Sequence, residues 1–118
     1  MMFGPIDLPW PDKILSPNAR AHHFARSRAA KKARSAAWAL ALEAMHGANA
    51  RWTCASLAWC FSPPSRRRFD ADNIISSLKS AQDGIADALG IDDSNFRSTY
   101  SMGEPVKGGV VRLMVVVE

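Results

Sequence analysis

At 118 residues the chain has room for one hydrophobic core and not for two, so residues 1–118 read as a single domain. A hydrophobic content of 47% is that of an ordinary globular protein, and a net charge of +4 with a pI near 9.5 fits a polyanionic partner without requiring one. No long apolar run, secretory leader or lipidation motif is present, which excludes a membrane-embedded reading and predicts a soluble, cytoplasmic protein.

The distribution of charge says more than its total. Between Asp12 and Glu43 there is no acidic residue, whereas Lys13, Arg20, Arg26, Arg28, Lys31, Lys32 and Arg34 are basic. Acidic residues gather around Asp70 to Asp93 instead. A broad basic surface around a small acidic site is the expectation.

Met2 to Leu8 is short, apolar and interrupted by Gly4-Pro5, which predicts a first strand on a sheet edge. Leu8-Pro9-Trp10-Pro11 then turns the chain, because each proline bars helix at the residue before it. Trp10 predicts that this loop packs against something, since an exposed indole forgoes much burial. Arg26 to His46 predicts a long helix, rich in alanine, arginine and lysine and stopped by Gly47. Its basic half is either a solvated face or a phosphate-contacting one, and Arg26, Arg28, Lys31 and Lys32 are the candidates for DNA contact. His22, His23 and His46 have no partner at ligand spacing and read as surface residues.

Arg51 to Ser62 predicts an internal strand with bulk on both faces, carried by Trp52, Leu57, Trp59 and Phe61. Cys54 and Cys60, the only two cysteines, sit six apart and read as reduced core residues. After Asp93, Asn95 to Met102 predicts another strand, Pro105 to Gly109 a turn, and Val110 to Val117 the central strand. The fold class is therefore α+β: a small mixed sheet with two helices, in the order strand-helix-strand-helix-strand-strand.

Chemistry concentrates between Arg66 and Asp93. Arg66, Arg67 and Arg68 precede Phe69-Asp70-Ala71-Asp72-Asn73, and on an extended chain Asp70 and Asp72 point to one side. Asp72 or Asn73 can cap the following helix. Ile74, Leu78, Ala81, Ile85 and Leu89 form its apolar stripe, with Asp72, Ser76, Lys79 and Asp83 on the opposite face and Gly90 at its end. Asp92-Asp93 follow in the exit loop. Arginine grips phosphate, and carboxylates hold a hard divalent cation that activates water, so the cluster points to hydrolysis of a phosphodiester backbone. Any one of these aspartates taken singly reads better as a solvated surface charge; it is the whole cluster that reads as a site.

These residues resemble the RusA family of Holliday-junction resolvases over nearly the whole chain. The resemblance rests on Leu8-Pro9-Trp10-Pro11, on the Asp-x-Asp-Asn signature at Asp70 to Asn73, and on Asp92-Asp93, in that order. It implies a homodimeric, Mg²⁺-dependent endonuclease, bacterial or phage-encoded, that nicks four-way DNA junctions symmetrically and uses no organic cofactor. Carried over by position, Asp70, Asp72 and Asp93 are the metal-holding catalytic carboxylates, with Asp92 the rival for the third place. Many members carry a lysine four residues after the second signature aspartate; here that position is Ser76, and Lys79 lies one helical turn further along the same face. Lys79 is then the catalytic cation, and Arg66, Arg67 and Arg68 position the backbone. Phe69 is expected to join the core, with stacking on an unpaired base the alternative. Two alternatives are a branched- or single-strand-binding protein without catalysis, which the missing lysine favours, and a nuclease for other branched DNA.

Overall fold

The computed structural model describes residues 1–20, 22–48 and 50–118. Four strands and three α-helices build it: β1 (Met2–Pro9), α1 (His23–Met45), β2 (Ala55–Ser62), α2 (Ala71–Ser77), α3 (Lys79–Leu89), β3 (Phe96–Met102) and β4 (Val110–Val117). Short 3₁₀ turns at Lys13–Leu15 and Asp93–Asn95 precede α1 and β3. The sheet order is β1-β4-β2-β3, antiparallel except for the parallel β2–β3 pair. The α+β reading holds, β1 lies on an edge as expected, and the valine-rich β4 is central.

Alternation along the strands sets the core on one side of this sheet. Leu57, Trp59 and Phe61 of β2 stand opposite Val115, Leu113 and Val111 of β4, and all six are buried. Phe3, Ile6 and Leu8 extend that surface on β1, and Ala37, Ala41 and Met45 of α1 close it together with Ile85 and Leu89 of α3. The expectation of bulk on both faces of β2 is corrected here. Its large residues share one parity, Trp52 precedes the strand, and Ser56 and Ala58 on the other face are exposed. Cys54 and Cys60 are free and only half-buried, so they are not core residues.

A second correction concerns the helix count. The single helix expected between Asn73 and Gly90 is two. Ser77 Oγ turns back to donate to the Asn73 carbonyl at 2.7 Å, and at Leu78 (φ −92°, ψ 0°) the ladder tightens, its N–H donating to the Ile75 carbonyl three residues back at 3.1 Å. A hydroxyl bonding the carbonyl four residues earlier bends a helix in this way. The apolar stripe survives the break: Ile74, Leu78, Ala81, Ile85 and Leu89 are all buried.

α1 and α3 pack closely because of Gly84. A Cβ built there would lie 2.2 Å from the Arg34 carbonyl oxygen of α1, a distance no side chain tolerates. Three residues on, Arg34 and Asp87 close the same crossing with paired hydrogen bonds of 2.7 and 2.9 Å. The basic helix thus meets the acidic one, and part of the charge asymmetry in the sequence is spent inside the fold.

Candidate functional site

Asp70 is the N-cap of α2. Its Oδ1 accepts the Asp72 N–H at 2.9 Å, which satisfies one of the otherwise orphaned first-turn donors. The cap is therefore neither Asp72 nor Asn73. Asp72 is in the first turn of the helix, where its carboxylate is exposed. Arg66, Arg67 and Arg68 are all exposed in the loop from β2, and the Arg67 N–H donates to Ser65 Oγ at 3.3 Å.

Lys79 opens α3 immediately after the break at Leu78. Its Nζ lies 3.0 Å from Asp83 Oδ1 and 2.5 Å from Asp93 Oδ2. The contact with Asp83 is the helical i,i+4 pair visible in the sequence; the contact with Asp93 is not local and joins the helix to the exit loop. Hydrogen bonds to Asp93 and then Asp83 raise the lysine's pKa above its ordinary value, so the ammonium form is secured. Asp92 plays a different part. It caps the 3₁₀ turn and accepts from the Ser94 hydroxyl and N–H, and these bonds hold its carboxyl below the usual range. Asp93 therefore faces the lysine while Asp92 faces its own loop.

The three carboxylates expected to share Mg²⁺ supply the hard oxygen chemistry that this cation needs. Yet among the described residues no group of three or more His, Cys, Asp or Glu side chains stands close enough to hold a metal ion. Asp70 and Asp72 flank the start of α2, and Asp93 is tied to Lys79. Their oxygen chemistry suits Mg²⁺, and their side chains are not gathered around one point.

Beside Asp70 an open cleft of about 700 Å³ runs between the segment after β1 and the loop before α2. Lys13, Arg67, Arg68, Asp70 and Asn73 line it, with Trp10 and Phe69 as its aromatic wall. The two rings meet edge-to-face with centroids 5.5 Å apart. Trp10 thus packs as expected, and Phe69 is half-buried against the core. Behind Trp10 lies a smaller, mostly apolar cavity of about 260 Å³ that includes Leu15, Ala33 and Leu78.

On α1, Arg28, Lys31 and Lys32 are exposed, while Arg26 is half-buried and donates from Nη2 to the Ala19 carbonyl at 2.8 Å. His22 Nδ1 caps α1 by accepting the Phe24 N–H, and all three histidines are exposed. Sequence reasoning missed Lys13 as a cleft residue and the Trp10–Phe69 wall, because both depend on a contact across nearly sixty residues of chain.

No family model matches the chain. It is similar to an uncharacterized protein of Xylella fastidiosa (strain Temecula1 / ATCC 700964), 46% identical over 101 residues that cover 79% of this chain and 62% of that protein. The chain thus spans less than two thirds of that relative's length. No helix among the described residues is long and apolar enough to cross a membrane.

Proposed function

We propose that this chain is an endodeoxyribonuclease of the RusA kind that cuts branched DNA, four-way junctions foremost, with Mg²⁺ as its cation. The observation that carries the reading is the 2.5 Å contact between Lys79 and Asp93. It ties the Asp92-Asp93 loop to the start of α3, the helix that follows the one Asp70 caps. Lys79 is also the residue that the sequence offered in place of a lysine at Ser76.

The chain's own groups divide the work. Asp83 and Asp93 hold Lys79 protonated at one place, where its charge can stabilise the negative oxygen that develops as a phosphodiester breaks. Arg66, Arg67 and Arg68 grip neighbouring phosphates and set the register of the strand. Asp70 caps α2, and it and Asp72, both exposed, would hold Mg²⁺, which when bound supplies an activated water.

A twofold partner suits a substrate with matched strands. β3 supports it, because its outer edge is unpaired in the sheet and carries neither proline nor lysine to discourage pairing. Antiparallel pairing of β3 with its copy about Thr99 sets Phe96 opposite Met102 and Arg97 opposite Ser101, with no like charges opposed. Sedimentation should give a dimer; a monomer both alone and on junction DNA would refute this arrangement.

The scattered carboxylates favour one second reading, a branched-DNA-binding protein without catalysis. Incubation with labelled junction, duplex and single strand, in Mg²⁺ and in EDTA, separates the two. Cleavage of the junction in Mg²⁺ alone is the result expected of the enzyme, and binding without cleavage is that of the binder.

A further inference from the structure

We propose that the cleft beside Asp70 binds a single unpaired nucleotide together with its flanking phosphates. This deepens the branched-DNA reading and rests on it, since only a branch, bulge or end offers a base free of its stack.

Charge is the first argument. Lys13, Arg67 and Arg68 line the cleft, and none of them makes an ion pair among the described residues. The two carboxylates on the same lining, Asp12 and Asp70, are each engaged by a backbone N–H, from Ile14 and Asp72 respectively. Three cations that make no ion pair among the described residues outnumber the two carboxylates on the lining, and the charge left over, with five-donor guanidinium groups among them, suits phosphate.

Shape and rigidity are the second. At about 700 Å³ the cleft lies in the range of small-molecule sites, and a bare phosphate would leave most of it empty. Its Trp10–Phe69 wall is fixed in place. Gly109, at φ +71°, lets the chain approach the indole so closely that a Cβ there would lie 2.9 Å from Trp10 Cγ and 3.0 Å from Pro64 Cδ. A preset aromatic surface flanked by cations is what unpaired bases use, because every base has a π-face and the aromatic groups need no further ordering. Asn18 and Asn73 on the lining can meet base edges by donating and accepting. A base stacked inside a duplex cannot reach that wall.

The test uses the full chain in EDTA and two duplex probes, one with a single unpaired 2-aminopurine and one fully paired. The unpaired probe should bind about tenfold more tightly, with a change in 2-aminopurine emission. Arg67→Ala and Lys13→Ala, both exposed and so expected to fold, should erase most of that preference. The double variant Arg28→Ala/Lys31→Ala, on exposed α1 residues outside the cleft, should weaken both probes alike and keep it. Equal binding of the two probes by the unaltered protein, or an equal loss on both probes in Arg67→Ala, would overturn the proposal. A preserved preference in a protein that cuts no junction in Mg²⁺ would sink the nuclease reading and leave the cleft standing; junction cleavage without any preference would do the reverse.

Discussion

Two sets of cations share this molecule and differ in company. Arg34, Arg112 and Lys79 each face a carboxylate within 3.0 Å, on Asp87, Asp7 and Asp93. Lys13, Arg67 and Arg68 line an open cleft and make no ion pair among the described residues. The first set is spent on joining elements of the fold: α1 to α3, β4 to β1, and α3 to the loop before β3. Among the described residues the second joins no elements of the fold by ion pairs, and the proposal gives its charge to DNA phosphates. A net charge cannot make that distinction, because it counts both sets alike.

Lys79 belongs to the first set by geometry and is assigned a function by the proposal, so it is the residue on which the comparison is broken most easily. If it only joins α3 to the loop, Lys79→Ala should cost a little stability and leave turnover within a few-fold. If it stabilises charge in the transition state, turnover should fall on the order of a hundredfold, about 2.7 kcal/mol, with junction affinity retained. Single-turnover cleavage beside a binding titration decides between them.

The joined half should also fail by packing. Gly84→Ala places a methyl 2.2 Å from the Arg34 carbonyl, and backbone cannot step aside as a flexible side chain can. Alanine gains about 1 kcal/mol in helix propensity, but prying α1 from α3 should cost more, for a net loss on the order of 1–3 kcal/mol. Denaturant unfolding measures it, and an unchanged or raised midpoint would mean that the crossing is looser than described.

The smallest effect expected is that of pH. Hydrogen bonds from Arg112 hold Asp7 below its ordinary value, and those from Arg34 do the same for Asp87. A depressed carboxylate contributes stability that is present above its unfolded pKa, near 3.9, and lost as pH falls through its folded one. Lys79 is shifted upward, so its contribution is full below about 10.4 and lost as pH rises through its folded value. These groups should therefore leave stability level from about pH 5 to 9, with a shallow loss below pH 4. A thermal midpoint that moves steeply between pH 5 and 9 would point to other groups.

Much of the packed half was legible in sequence, because periodicity records burial directly. The stripe from Ile74 to Leu89 and the run from Val110 to Val117 took their expected places. The break at Leu78 was not legible, since Ser77 is an unremarkable residue until its hydroxyl turns inward to the Asn73 carbonyl. Capping was misread by two or three residues, because Asp70, Asp72 and Asn73 are all good caps and only the backbone decides among them. At the site, residue types were legible but their distances were not. The Lys79–Asp83 pair follows from spacing, while Lys79–Asp93 and Trp10–Phe69 exist only once the chain has folded.

Asp70→Asn offers the most direct measurement. Asparagine caps a helix about as well as aspartate, so α2 should form as before while one negative charge is removed from the site. Cleavage of a labelled four-way junction should be visible for the unaltered protein in Mg²⁺, absent in EDTA, and lost in Asp70→Asn, with junction binding kept or tightened. Junction cleavage by Asp70→Asn at the unaltered rate, or no cleavage by either protein in Mg²⁺, would contradict the proposed endonuclease.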